Sequence, residues 1–369
     1  MKRTLKLIRS LSLTMMILTL TSFIFVSCTE NKENKTTDLS DNKKANAITA
    51  AGATFPLPYY NKIFKTYTKD SGKILVTYGG IGSGGGIRSL QNKIVDFGAT
   101  DAYLTDEKLK KMDSEILHIP TCIGAVVAAY NLPDNPKLKL TPEILSSIFL
   151  GKINNWNDPM IKKINKEIDL PNLDITVVHR SDGSGTTKIF SDYLSKVNSE
   201  WKEKVGSGKS LKWPVGIGAK GNPGVAGNIK QTKGSIGYIG YEFAKSQNLP
   251  VATVQNQKGK FITPSIETIT EAANKEIPND TRAYITNSDS ENGYPISGFT
   301  WLIFYKEQSY NSRSYDQALQ TLKLLDWILN EKAQSTAKKV NYAPLPKSIV
   351  AKGKEILRTA TYNGKKILK

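Results

Sequence analysis

Three short stretches of this chain share a device suited to holding an anion. Ala53-Thr54-Phe55, Gly82-Ser83-Gly84 and Ser184-Gly185-Thr186 each set small or hydroxyl-bearing residues between an extended segment and the expected start of a helix. The first turn of a helix leaves backbone N–H groups unpaired and carries partial positive charge, so it favours negative charge. Glycine lets the backbone approach a ligand closely, and serine or threonine adds a hydroxyl donor. One such loop is ordinarily an N-cap with a glycine turn. Three of them, with Arg180 four residues ahead of Ser184, point to a shared anion.

Other chemistry is poorly supported. Gly80-Ile-Gly-Ser-Gly-Gly85 fits the dinucleotide pattern G-x-G-x-x-G, with Asp101 about twenty residues on. Gly216-Ile-Gly-Ala-Lys-Gly221 fits it equally, so the pattern discriminates little. Gly206-Ser-Gly-Lys-Ser210 lacks the earlier glycine of a nucleotide P-loop, because Glu203 stands there. Neither Ser83 nor Ser184 lies in G-x-S-x-G, so a hydrolase nucleophile elbow is missing. Two histidines, His118 and His179, leave little for a histidine metal cluster or a Ser-His-Asp triad. The expectation is a binding protein with no catalytic residues, no metal and no cofactor.

The elements that must position these loops alternate between strand and helix. Tyr60, Phe64 and Tyr67 fall at helical spacing within a helix expected over 59–70, which Ser71-Gly72 stops. Residues 73–78 read as a strand feeding the second loop, with a short helix over 87–92 and another strand over 95–101. Helix follows over 106–111. The apolar run 121–130 has the character of a strand buried on both faces. Thr141-Pro-Glu opens a helix with a capping residue and an early proline. A strand over 175–180 delivers Arg180 to the third loop, followed by a helix over 188–197. Residues 234–241 and 299–305 read as strands. Residues 317–338 form the longest amphipathic helix, with Leu322, Leu325 and Leu329 on one stripe. This order implies α/β architecture with largely parallel sheets.

The N-terminus sets the compartment. Lys2, Arg3, Lys6 and Arg9 precede an apolar stretch that ends at Ser27-Cys28, which describes a lipoprotein signal peptide over 1–27. Cys28 would carry the lipid and anchor the chain to the cell membrane. With Cys28 modified, Cys122 has no cysteine partner within the chain. Residues 28–46 are polar and read as the lipidated cysteine and a disordered tether. The rest exceeds what one core usually organises, so two domains are expected. The formal net charge is +18 over 369 residues. The lysines are scattered without aromatic interleaving, so a solvated basic surface is expected and no nucleic-acid partner. An exported chain would also meet no pool of nicotinamide cofactor.

AGATFPLPYY (51–60), YGGIGSGGGI (78–87), DFGATDAYLTDEKL (96–109), IFLGKINNWND (148–158), VVHRSDGSGTT (177–187), GSIGYIGY (234–241) and YAPLP (342–346) together resemble the PstS family. These are the phosphate-binding proteins of bacterial ABC phosphate importers. The resemblance covers nearly all of the mature chain in family order. It implies a two-lobed, hinged periplasmic-binding-protein fold, each lobe a largely parallel sheet flanked by helices. Lobe one would comprise 47–121 plus 298–369 and lobe two 122–297, with crossings near Cys122 and Ser297. It also implies high-affinity binding of inorganic phosphate outside the cytoplasmic membrane and delivery to importer permease and ATPase subunits, by a monomer.

Carried over by position, the phosphate ligands would be Thr54, Phe55 through its N–H, Ser83 and Asp101, then Arg180, Ser184, Gly185 through its N–H, and Thr186. Asp182 would hold the Arg180 guanidinium. Gly84 departs from the family, where some relatives carry a second serine, and so does Thr100, where serine is common before the aspartate. Asp101, an acceptor beside an anion, makes sense if the ligand carries a proton, as phosphate does and sulfate does not. A site built around one hydrogen bond can reject ligands lacking it by ~10⁴–10⁵. The alternatives are a receptor for another tetrahedral oxyanion such as sulfate, an exported phosphatase, or an adhesin or sensor without a transport role.

Overall fold

The computed structural model describes residues 47–72 and 74–369. The signal peptide, the Cys28 lipidation site and the tether expected over 1–46 lie outside the described residues. Among the described residues no helix is long and apolar enough to cross a membrane.

In chain order the strands are β1 (Ala47–Gly52), β2 (Leu75–Gly80), β3 (Phe97–Thr100), β4 (Ile116–Tyr130), β5 (Lys139–Leu140) and β6 (Thr176–Arg180). They continue with β7 (Ile217–Ala219), β8 (Ser235–Gly240), β9 (Thr253–Gln255), β10 (Phe261–Ile262), β11 (Ser297–Tyr305), β12 (Thr361–Tyr362) and β13 (Lys365–Lys366). Eight of them form one sheet in the order β2-β1-β3-β11-β4-β8-β6-β7. A three-stranded sheet, β10-β9-β5, and a β12-β13 hairpin stand apart.

Parallel pairing is confined to the two ends of the large sheet, where β1 joins β2 and β3, and β6 joins β7 and β8. The middle is antiparallel, so each end is largely parallel as expected while the continuous sheet as a whole is mixed. The reason lies in β4 and β11, which traverse the molecule in opposite senses. All fifteen residues of β4 are buried, as its apolar run requires for a strand covered on both faces. It pairs with β11 from Ile116 to Ala125, then with β8 from Val126 to Tyr130. Ser297 opens β11 opposite Ala125. Tyr60, Phe64, Phe97, Leu322 and Leu325 pack in a core beside β1–β3. Val126, Tyr130, Trp156, Phe190 and Tyr238 pack in a second one beside β6–β8.

Helix limits differ from the sequence expectation in two informative ways. The helices at the second and third loops begin at Ser83 and Gly185, earlier than 87 and 188, so Gly84, Gly85 and Gly86 are helical despite poor propensity. Close packing requires glycine there: a Cβ on Gly86 would lie 2.5 Å from Gly52 Cα. The helix expected over 317–338 is two helices, Tyr315–Ile328 and Glu331–Lys338. Asn330 is extended between them, with ψ 158°, and the Gln334 side chain donates to the Ile328 carbonyl at 2.9 Å. That bond satisfies a carbonyl exposed by the break, which a local hydrophobic period does not reveal.

Candidate functional site

The first loop leaves β1 and is pinned from two sides. Tyr78 donates its hydroxyl to the Ala53 carbonyl at 2.7 Å, and Tyr342 to the Phe55 carbonyl at 2.6 Å. Thr54 and Phe55 are buried, one residue short of Pro56 and the helix Leu57–Ser71. The Phe55 ring needs bare backbone opposite it, since a Cβ on Gly124 would lie 2.5 Å from its Cζ and one on Gly240 3.0 Å from its Cδ2.

Ser83 follows Gly82, whose φ of 83° is the left-handed region that favours glycine. Its fully buried Oγ accepts from the Asp101 N–H at 3.2 Å and from the Gly185 N–H at 3.1 Å. The Ser83 hydroxyl also faces Asp101 Oδ2 at 3.4 Å, and Thr300 donates to Asp101 Oδ1 at 2.7 Å. Burial lifts the Asp101 carboxyl from its ordinary 3.8 to about 7, against the opposing pull of Thr300, the Arg180 charge and Ser83.

Strand β6 delivers Arg180, whose N–H donates to the Tyr238 hydroxyl at 3.0 Å. The guanidinium forks onto Asp182, Nε to Oδ1 at 2.7 Å and Nη2 to Oδ2 at 2.5 Å, which fixes its plane. Its Nη1 points instead at Thr186 Oγ1, 3.4 Å away. Burial pushes the Asp182 carboxyl up, but bonds from Arg180, its charge and the Gly221 N–H outweigh that and hold it below the ordinary range. The Ser184 hydroxyl caps the helix Gly185–Val197 by accepting from Thr187 N at 3.0 Å, leaving its proton to donate. Gly185 tolerates no side chain: a Cβ would sit 2.5 Å from Ser83 Oγ and 2.6 Å from Asp101 Oδ2.

Thus the first loops, from the β1–β3 end, meet the third loop, from the β6–β8 end. Gly84 N–H donates across to the Gly183 carbonyl at 2.7 Å. Thr54 is tied to Thr186 through Asn222, whose amide donates to Thr54 Oγ1 at 2.9 Å and to Thr186 Oγ1 at 3.0 Å. The structure therefore gathers Thr54, Phe55, Ser83, Asp101, Arg180, Ser184, Gly185 and Thr186 into one buried cluster, with half-buried Asp182 at its edge. It is dense in N–H and hydroxyl donors, with one cation and one carboxylate free of it. Asn222, Thr300 and Tyr238 also belong here and were not anticipated. A signal existed for Asn222: Gly216–Gly221, set aside as a weak dinucleotide pattern, is a further glycine-rich entry to a helix, here Gly221–Gln231. Among the described residues no group of histidine, cysteine, aspartate and glutamate could hold a metal.

A model for the PBP superfamily domain matches residues 35–332. The phosphate-binding protein PstS of Haemophilus influenzae is 41% identical over 313 residues, covering 84% of this chain and 91% of its own length. The chain belongs to the PstS family. PstS of Methanocaldococcus jannaschii is 38% identical over 337 residues, 85% of this chain and 87% of that one. The fold is shared with a solved phosphate-binding protein of Stenotrophomonas maltophilia, at a TM-score of 0.63 and 18% identity, covering 85% of this chain and 94% of that one. For a member of the PstS family the expected α/β binding-protein architecture is thus in place.

Proposed function

We propose that this chain binds inorganic phosphate in the cluster where the first and third loops meet, and delivers it to an ABC phosphate importer. The observation that carries the reading is the company Asp101 keeps. A buried anion needs many fixed donors, because desolvation costs several kcal/mol per ion unless compensated. The Thr54, Ser184 and Thr186 hydroxyls, the Phe55 N–H and Arg180 Nη1 can supply them, and the Ser83 hydroxyl and Gly185 N–H join them once they turn from Asp101 and from each other to the ligand. Asp101 is 1% exposed among these donors, where a bare anion would be repelled. A ligand oxygen that carries a proton can donate to it, and phosphate at neutral pH has one. The names of the relatives agree with this choice of ligand.

The lobes proposed are 47–121 with 298–369, and 122–297, with phosphate between them. The partner exchange of β4 at Ala125/Val126 and the start of β11 at Ser297 support two crossings there. Lipid anchoring at Cys28, a monomeric state and docking on permease and ATPase subunits complete the proposal. Binding rather than catalysis is the role, since Arg180 and the hydroxyls hold an anion without an evident nucleophile–base pair.

Calorimetric titration of protein stripped of bound ligand by reversible unfolding tests the reading. One phosphate per chain should bind, and Arg180→Ala should weaken it greatly. Absence of phosphate binding by the refolded wild-type chain would overturn the proposal.

A further inference from the structure

Asn222 is fully buried and lies at the first turn of the helix Gly221–Gln231. Its position depends on Gly221, which has a φ of +70° and carries no Cβ to crowd Thr54: one would come within 3.3 Å of Thr54 Cγ2. The Gly221 N–H is itself held by Asp182 Oδ1 at 3.0 Å, so the helix start is tied to the same carboxylate that orients Arg180. The amide orientation is fixed by Oδ1, which accepts from the Gly240 N–H at 2.8 Å. Nδ2 is thereby turned toward the two threonines. Its two protons go to different hydroxyls, one to Thr54 Oγ1 and one to Thr186 Oγ1. Thr54 Oγ1 accepts a second bond from the Asn222 backbone N–H at 3.1 Å. Thr186 Oγ1 faces Arg180 Nη1 at 3.4 Å.

A hydroxyl has one proton and two lone pairs. Thr54 Oγ1 uses both lone pairs on Asn222, and Thr186 Oγ1 uses its two on Asn222 and Arg180. Each is left able only to donate. We infer that Asn222 is the positioning residue that makes the Thr54 and Thr186 hydroxyls obligatory proton donors toward the bound anion, one from each side of the cleft. This rests on the phosphate reading above and adds to it the residue that sets hydroxyl direction. The consequence is selective. Asp101 alone accepts a proton from the ligand, while Thr54 and Thr186 demand unprotonated oxygens, so proton placement on the ligand is fixed at one corner. Fixing the rotors beforehand also removes an ordering cost from binding.

The test is a mutational cycle read by phosphate titration of stripped protein. Asn222→Ala should weaken phosphate by about 10–100-fold, the equivalent of losing well-directed hydrogen bonds to a charged group. The loss should not exceed that of Thr54→Val/Thr186→Val, which deletes both hydroxyls. Adding Asn222→Ala to that double-valine background should cost little more, because the amide then has nothing to orient. The thermal midpoint of stripped protein checks folding, and Asn222→Ser, able to direct only one hydroxyl, replaces the alanine if that variant is unstable and should fall between it and wild type. Three results would overturn the inference: a change under about twofold in folded Asn222→Ala, a loss larger than the double-valine loss, or full additivity in the double-valine background. If the wild-type chain fails to bind phosphate, the fault lies with the proposed function instead.

Discussion

Arg180 and Asp101 divide the work of the site in opposite ways, and each can be tested apart. Arg180 supplies the formal cation, with a side chain 1% exposed and two of its nitrogens held by Asp182. Arg180→Ala should lower phosphate affinity by roughly 2–4 kcal/mol, in the range for truncating a buried charge-assisted contact. Titration calorimetry checks this, and a loss under 1 kcal/mol would remove the guanidinium from the ligand set. Asp101 titrates near neutrality, at about 7 against 3.8 unperturbed. Between those values the folded chain keeps a proton that the unfolded chain has released. Stability from this group therefore falls as pH rises through that window and levels off above it. The thermal midpoint of stripped wild type minus that of Asp101→Asn should decline from pH 4 to 7 and then stay flat. A difference independent of pH would mean that Asp101 does not titrate there. Arg180 was legible from its place four residues ahead of the third loop, whereas the ligand role of Asp101 was legible only as a family position. Asp101 alone reads as a turn-capping aspartate, because the Thr300 bond that marks it spans 199 residues.

At the scale of elements, the glycines decide how near the loops can come. Gly185 opens its helix against Ser83 and Asp101 with no room for a methyl group. Gly185→Ala should displace the third loop from the first two and weaken phosphate binding by at least tenfold, while the stripped protein keeps a cooperative thermal transition. Near-normal affinity would mean that the two sides stand further apart in the bound form. The order of the site's strands and helices followed from composition and spacing, because β4 is a near-continuous apolar run and the loop strands end in small or polar turn residues. Helix starts at Ser83 and Gly185 did not, since glycine propensity argues against helix where tertiary packing demands it. The split at Asn330 was equally hidden. Leu322, Leu325 and Leu329 form one apolar stripe that stops short of it, and Leu329 joins the core cluster beside β6–β8 while the other two join the one beside β1–β3.

For the whole molecule, donors on both sides of the two proposed crossings mean that phosphate should favour the closed arrangement by its differential affinity. Small-angle scattering of stripped protein should show compaction on saturation with phosphate, and an unchanged profile would argue against hinge closure. The continuous mixed sheet through β4 and β11 was not foreseen, because strand pairing across about 180 residues leaves no local trace. Selectivity rests above all on recognition of a ligand proton by Asp101 inside a cage of donors. Competition calorimetry with sulfate measures that most directly. At about pH 8.5, where Asp101 is ionised and phosphate still carries one proton, wild-type protein should bind phosphate and show no detectable heat with sulfate, whereas Asp101→Asn, whose amide can donate where the carboxylate only accepts, should bind sulfate measurably and keep much of its phosphate affinity. If Asp101→Asn excludes sulfate as completely as wild type does, proton recognition at Asp101 is contradicted.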